Sequence, residues 1–504
     1  MTYSMYLSLT LATVCRPPLD AEVEPVLDDA LQPVLDQLRQ RVEQFRSSPV
    51  TPAAVAGWEN ELQQHVRELA RVVAQWTYNH LEPAAVQALP GQVDFEASSY
   101  RRLAHKTPQE VSTLFGPITV HRQGYRAPAS AGVPVLFPLC QELGLVHGAT
   151  PALVERVARY QAESGATQQQ TLARLRREHG LRWGVKRLRQ VTEFVAAALE
   201  AHRPSAQVDQ LLRWLEQART SSGAHKPVLA VGRDGITLGL RLKGCTLYEV
   251  ASTGTVTVYD RRGQRLGTIY LARVPEPGQT TLSQQLTQVV QEVLRRWPGP
   301  LPRLCYVTDA GDNEVTYYRQ LRRLRHPGTG ARLEWIRVLD YYHASERLWT
   351  MADALFGHGS RAWGWARKMQ KLLLKPAGLF RVLHSAAALR RRGQLRGQRL
   401  ANFRTAYNYL RKRSKEVRYA AYRKLGLPIG SGVTEAACKT VYTQRLKLSG
   451  MRWKKPGAQT ILTLRVILLS GVWDEVYEQL LQVAPDIQVR TPGPLPCSEA
   501  EFAA

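Results

Sequence analysis

Apolar positions recur near a helical period through residues 20–90, most clearly over Gly57–Leu81, before Pro83 and Pro90 punctuate the pattern. Residues 93–135 alternate more loosely, with Ile118, Val120 and Tyr125 reading as a short β-rich segment. Helical periodicity returns over 150–203 in three pieces. Thr150-Pro151 opens the first, with proline at the first helical position, and Ser164-Gly165 closes it. Thr167 and Gln170 form a capping-box signature for the second, which stops at His179-Gly180. The third is expected over Trp183–Glu200, a further helix over 207–219, and a linker at 221–224.

The pattern then changes. Val228–Val231 is a short apolar strand running into Gly232-Arg-Asp-Gly235. Two more strands, Thr246–Ala251 and Thr255–Tyr259, flank Ser252-Thr-Gly254, which reads as a hairpin turn. Asp260 followed by Arg261-Arg-Gly263 reads as another turn. Leu282–Trp297 is an amphipathic helix, Arg303–Val307 a strand ending at Thr308-Asp309, Asn313–Arg325 a helix, and Leu333–Leu339 a strand ending at Asp340. Residues 344–427 read as helical throughout, and a last helical block begins near Ser431.

The expected fold class is an α/β core of RNase H-like pattern, a mixed sheet with flanking helices. A large all-α insertion interrupts it and a helical DNA-binding region precedes it. The expected divisions are a helical region at 1–92 and a β-rich segment at 93–145. A helix-turn-helix-like domain at 146–220 follows, then the first part of the core at 226–343. The basic insertion spans 344–428, the closing helices 429–480, and a tail without structure 481–504.

Charge sharpens this picture. The 504 residues carry 68 Lys and Arg against 42 Asp and Glu, a net charge of +26. Such an excess destabilises a compact chain unless a polyanion offsets it, and nucleic acid is the usual one. The excess is concentrated over 381–424, where Glu416 is the one acid. Arg391, Arg392, Arg396, Arg411, Lys412 and Arg413 there are candidate contacts to a DNA backbone. The helices at 150–203 are basic too. Arg174, Arg177, Lys186 and Arg187 are candidate contacts if the unit is a DNA reader rather than an ordinary three-helix bundle with a solvated face.

The cysteines, Cys15, Cys140, Cys245, Cys305, Cys438 and Cys497, make neither a disulfide framework nor a metal-ligand spacing. That pattern fits a reducing cytoplasm. The opening MTYSMYLSLTLATVC lacks a basic leader, and the apolar run near Ile461–Val472 is broken by Arg465, so neither an export signal nor a membrane span is expected.

Two strands end in an acid, Asp234 after VLAVGR and Asp309 after RLCYVT. Ligand sites gather at the carboxyl ends of parallel strands. Paired carboxylates repel, and a divalent cation removes that repulsion. Oxygen-rich ligands with open water positions suit magnesium or manganese, and two such ions suit in-line displacement at phosphorus. Glu435 stands alone between Glu416 and Asp474, in basic surroundings of Lys439, Arg445, Lys447, Arg452, Lys454 and Lys455, which with Trp453 are further candidate DNA contacts. It is either paired with Lys439 at i,i+4 or held as a third metal ligand. Asp312 and Glu314 read as acids favouring the start of a helix. Asp340 and His343 are either accessory site groups or a structural pair. Trp453 can stack on an unpaired base or pack in the interior; Trp349, Trp363 and Trp365 read as core.

Five stretches together carry a resemblance: GRDG at 232–235, TDAGDNE at 308–314, LDYYHASERLW at 339–349, GSGVTEAACK at 430–439 and QRLKLSGMRWKKPGAQTILTLR at 444–465. Over roughly 145–480 the chain resembles the ISKra family of bacterial insertion-sequence transposases, related to the Mutator-like DDE enzymes. The resemblance implies Asp234, Asp309 and Glu435 as the catalytic, metal-holding triad, with a long helical insertion before the glutamate. Asp340-Tyr-Tyr-His343 is similar to an acid-x-x-His motif of Mutator-like relatives. Relatives also carry a cysteine pair near the region of Gly124-Tyr125, absent here, so two Mg2+ (or Mn2+) ions and no zinc are expected. The implied activity is DNA cleavage and strand transfer at element ends by a homo-oligomer on double-stranded DNA, near the bacterial nucleoid and with no membrane partner. A non-catalytic DNA-binding regulator and a nuclease that cuts without joining remain as alternatives.

Overall fold

The computed structural model describes residues 23–482 apart from 97, 129–131, 243 and 310, together with 487–489. The opening apolar stretch, Cys15 and Cys497 lie outside the described residues. The chain divides into two compact units. One holds the N-terminal residues up to 161, then 167–195 and the chain from 478 onward; the other holds 162–166 and 196–477. Among the described residues no helix is long and apolar enough to cross a membrane.

The first unit begins with helices α1 (Val23–Ser47) and α2 (Pro52–Asn79). Thr51 caps α2 by accepting the Ala54 N–H at 3.1 Å. Strands β1 (Gln92–Phe95), β2 (Ser98–Arg102), β3 (Thr107–Thr113), β4 (Gly116–Arg122) and β5 (Tyr125–Arg126) follow. β3 and β4 form a hairpin. Its outer edge is covered by α2, whose Gln75 and Asn79 accept the Thr119 and His121 N–H groups at 3.0 and 2.7 Å. β1 lies between β2 and a short strand, Ile487–Val489. The stretch expected as an unstructured tail thus supplies a strand, and its last residues lie outside those described.

Helices α3 (Pro138–Glu142), α4 (Pro151–Ala162), α5 (Gln168–His179) and α6 (Val185–Thr220) complete this part of the chain. The capping box of Thr167 and Gln170 is present, and Gly180 closes α5 in the left-handed region at φ 66°. α6 runs through Pro204 without a break, where the pattern predicts two helices. Across that proline, Arg203 bonds Glu200 and Gln207, both at 2.7 Å, and ties the two turns together.

The second unit is a five-stranded mixed sheet with helices on it. Its strands are β6 (Val228–Leu242), β7 (Cys245–Tyr259), β8 (Arg265–Arg273), β9 (Arg303–Thr308) and β10 (Trp335–Leu339), in the order β10-β9-β6-β7-β8. β6 is antiparallel to β7 and parallel to β9; β9 is parallel to β10. One correction follows. Ser252-Thr-Gly254 is not a turn but the middle of β7, paired with Gly235, Asp234 and Arg233. Leu286 lies across its glycine, at 3.4 Å from where a Cβ would sit, an ordinary van der Waals contact. The predicted turn at Asp260 is present, with its carboxylate accepting the Arg262 and Gln264 N–H groups at 2.9 and 2.8 Å.

Helix α7 (Thr280–Arg296) buries Leu282, Leu286, Val289 and Val293. Helix α8 (Asp312–Leu321) joins β9 to β10. Next come α9 (Tyr341–Phe356), α10 (Ser360–Leu373), α11 (Gly378–Gly393), α12 (Gly397–Lys412) and α13 (Tyr419–Lys424). Their apolar faces share one core with β6, β9 and β10, through Val228, Ala230, Cys305, Val307 and Val338. A second core lies beneath the projecting β6–β7 hairpin. There Leu238, Leu240 and Ala251 meet the closing helices α14 (Gly432–Ala437), α15 (Gln444–Leu446) and α16 (Lys455–Leu469). Helix α17 (Trp473–Leu481) follows, and the second unit ends within it at Tyr477. Trp349 and Trp365 are packed, but Trp363, expected in the core, is 51% exposed and stacks only under Arg367.

Candidate active site

Strand register sets the site. The parallel pairs between β6 and β9 end at Gly232 with Val307, and those between β10 and β9 at Leu339 with Thr308. Counting on along each strand places Asp234, Asp309 and Asp340 at one level, where β9 and β10 finish. Asp234 differs from the expected strand-end acid in that β6 continues past it to Leu242.

Each acid is held. Asp234 accepts the Gly235 N–H at 2.7 Å, and the Cys438 thiol donates to its other oxygen at 3.4 Å. Burial pushes its carboxyl above the usual range, with further upward pressure from Asp309 and Glu435. Asp309 accepts the Gly311 N–H at 3.0 Å, and its backbone carbonyl accepts the Tyr409 hydroxyl at 2.7 Å. Asp340 is fully buried and caps α9 by accepting the His343 N–H at 2.8 Å. Its other oxygen accepts a short hydrogen bond from the Ser431 N–H.

The fourth acid arrives from the far side. α14 sits so close to the sheet that a Cβ at Gly232 would collide with the Thr434 hydroxyl, which hydrogen-bonds Thr255 at 2.9 Å. That close approach needs glycine at 232 and brings the next residue, Glu435, to the row of aspartates. Ser431 donates to the Glu435 carboxylate at 2.5 Å, and His343 Nε2 lies 3.9 Å from it. The alternative partner, Lys439, makes no ion pair with it among the described residues. Cys438–Thr443 follows as a π-helical turn, which supplies the thiol beside Asp234.

Two further groups belong to this region and were read otherwise from the sequence. Glu314 lies in the first turn of α8, where an acid favours the helix dipole, yet it is 8% exposed. Burial raises its pKa, and Asp309 and Asp234 add to the rise. Behind it, Arg233 is buried, bonded to Ser283 and Gln279 at 3.0 and 2.7 Å. Tyr409 was not singled out at all. Its ring lies under Arg347 and Arg413, and nothing local in the sequence links it to Asp309.

Among the described residues, the set of three ligand-type side chains whose donor atoms all lie within 4.8 Å of one another is Asp340, His343 and Glu435. Asp234, Asp309 and Glu435 are near enough to act on one another's charge but stand more openly. Their donors are hard oxygens, and burial, with the neighbouring carboxylates adding to it, raises the pKa of Asp234. That donor set fits a magnesium- or manganese-type ion.

The expected DNA contacts divide. Arg391, Arg392, Arg396, Arg411 and Lys412 are exposed on α11 and α12, whereas Arg413 is half-buried against Tyr409. Lys186 is exposed, and Arg177 is exposed beside Glu178 at 2.8 Å. Arg174 lies over the Tyr160 ring, and Arg187 bonds the Gly148 carbonyl at 3.0 Å. Lys439, Lys447, Arg452 and Lys454 are exposed. Arg445 is buried outright, its pKa lowered to about 10 by burial and by Arg465. Trp453 packs with the closing helices and donates to the Leu446 carbonyl at 3.0 Å, and Lys455 pairs with Glu249 at 2.8 Å. No protein-family model matches the chain, and no curated protein matches it.

Proposed function

We propose that the chain is a DNA transposase of the carboxylate-triad type, cutting and rejoining DNA at the ends of a mobile element. The observation that carries this reading is the common level of Asp234 and Asp309 on parallel neighbouring strands, closed by Glu435 from a late helix. The sheet order supports an RNase H-like core. Three antiparallel strands come first in the chain, and the fourth and fifth lie parallel to the first on its free side. The helices between Asp340 and Glu435 are then an insertion carrying the DNA-facing arginines.

Asp234, Asp309 and Glu435 would hold the two divalent ions, with Glu314 adding negative charge beside them. Ions of this kind supply charge neutralisation at phosphate oxygens and a water of lowered pKa. The chain's own part is positioning. Gly235, Gly311 and Ser431 fix the carboxylates by hydrogen bonds, and Tyr409 anchors the backbone of Asp309. The exposed arginines of α11 and α12 would hold the DNA backbone without reading sequence. Helices α4 to α6 are the proposed reader of the terminal repeats, the proposed working form is a homo-oligomer on DNA, and the proposed location is the bacterial cytoplasm.

The test is to mix the full chain with a labelled element end, a target plasmid and Mg2+. Joined product is expected, and Asp234→Asn should bind DNA normally while losing at least ~10³-fold in rate. Cleavage without joining would replace this reading with a nuclease, and binding alone with a regulator. A variant that cuts at the wild-type rate would remove Asp234 from the site.

A further inference from the structure

We propose that Asp340, His343 and Glu435 form a second cation position, one suited to a divalent transition-metal ion of the manganese or zinc type rather than magnesium. Two of the side chains come from the start of α9, whose N-cap is Asp340 and whose first turn holds His343, the third comes from α14, and their donor atoms lie within 4.8 Å of one another. Convergence of two stretches of chain more than 90 residues apart is what distinguishes this group from neighbours on one helix.

The histidine is oriented from behind. His343 Nδ1 lies 3.2 Å from the Glu346 carboxylate, so its N–H points there and the Nε2 lone pair is left to face Glu435. The Nε2 to carboxylate distance of 3.9 Å is too long for a hydrogen bond. It is a gap that two ligands of one ion close by a small side-chain movement. A carboxylate behind a metal-binding imidazole is the common arrangement for fixing tautomer and ring direction. Asp340 is the rigid member, fully buried and pinned by two backbone N–H groups, with a lone pair left on each oxygen. Glu435 and His343 are 46% and 31% exposed, which leaves room for water ligands.

The imidazole decides the class of ion. Magnesium prefers an all-oxygen octahedron and gives up water reluctantly, whereas manganese, cobalt and zinc accept nitrogen. This departs from the expectation of no zinc, which rests on a different stretch of chain, near Gly124-Tyr125. Glu435 is shared, so an ion here draws that carboxylate away from Asp234 and Asp309. This consequence alone rests on the function proposed above.

The experiment is a calorimetric titration of the full chain with Zn2+ in excess Mg2+, without DNA. One Zn2+ per chain is expected to bind. His343→Ala should weaken that site by at least 100-fold, Glu346→Gln by roughly 10-fold, and Asp309→Asn should leave it within 2-fold. No Zn2+ binding to the wild type, equal binding by His343→Ala, or loss in Asp309→Asn would each overturn the proposal. Thermal unfolding of each variant in EDTA identifies any that fails to fold; in that event His343→Gln, close in size, replaces His343→Ala under the same criteria. Because DNA is absent, failure here leaves the cleavage assay untouched, and failure of that assay leaves this titration standing.

Discussion

The two basic stretches, 381–424 and 439–465, look alike in sequence, but among the described residues only the second buries arginines outright. Along α11 and α12 the arginines Arg390, Arg391, Arg392, Arg396 and Arg411 end in solvent. In the closing helices Arg445 and Arg465 are among the most deeply buried side chains of the protein. Arg465 donates to the Thr440 carbonyl at 2.7 Å, to the Ala162 carbonyl at 2.6 Å and to Ser164 at 2.9 Å. It thereby joins the π-helical turn beside Cys438 to residues 162–166. Burial lowers its pKa to about 10, so its charge is costly and is kept by hydrogen bonds. A count of positive residues cannot separate a charge offered to a partner from one that binds the protein to itself.

The comparison can be broken by mutation, beginning where the effect is largest. Arg465→Ala leaves two carbonyls and a hydroxyl without their donor and should cost about 3 kcal/mol or more, read as a lowered denaturant midpoint. An unchanged midpoint would mean that the buried arginine holds nothing together. Reversing Arg391, Arg392 and Arg396 to Glu should lower DNA affinity ~10- to 100-fold and reduce the salt slope by roughly 3, with little change in unfolding. An unaltered slope would move the DNA path elsewhere.

A smaller effect concerns buried anions. Asp234 and Glu314 have folded pKa values above their ordinary 3.8 and 4.5. As pH rises, the unfolded chain ionises first and the folded chain lags, so these groups subtract stability from the unfolded pKa upward, and the loss is complete once pH passes their folded values. In EDTA, Asp234→Asn should therefore lie closest to the wild-type Tm below about pH 4 and gain on it until pH passes the folded pKa of Asp234, with a constant gap above that; a gap of one size at every pH would disprove the account. The smallest change is Lys455→Ala, which breaks a part-exposed pair with Glu249 and should cost under about 1 kcal/mol, without altering the salt dependence of DNA binding.

Much of the second unit is legible in the sequence because its signals are local. An apolar run ending in an acid identifies β9 with Asp309 and β10 with Asp340, and the caps around α5 read directly from Thr167, Gln170 and Gly180. What was misread depends on distant partners. Gly254 resembles a turn residue until Leu286 lies across it, and Pro204 resembles a helix break until Glu200, Arg203 and Gln207 bridge it. Glu314 satisfies a local rule at the start of α8, which hid its second position beside Asp234 and Asp309. Tyr409 and Cys438 reach the site only through the tertiary fold, and Trp363 shows that an aromatic at helical spacing can face water.

The level row of acids has a consequence for how this chain tolerates change. The acids are aligned by residue count within β6, β9 and β10, while the connections between them contribute nothing to that count. The stretch 322–334 between α8 and β10 can lengthen or shrink and leave Asp309 and Asp340 abreast. A single residue gained or lost inside β9 would carry Asp309 about 3.3 Å out of line and turn it toward the opposite side of the sheet.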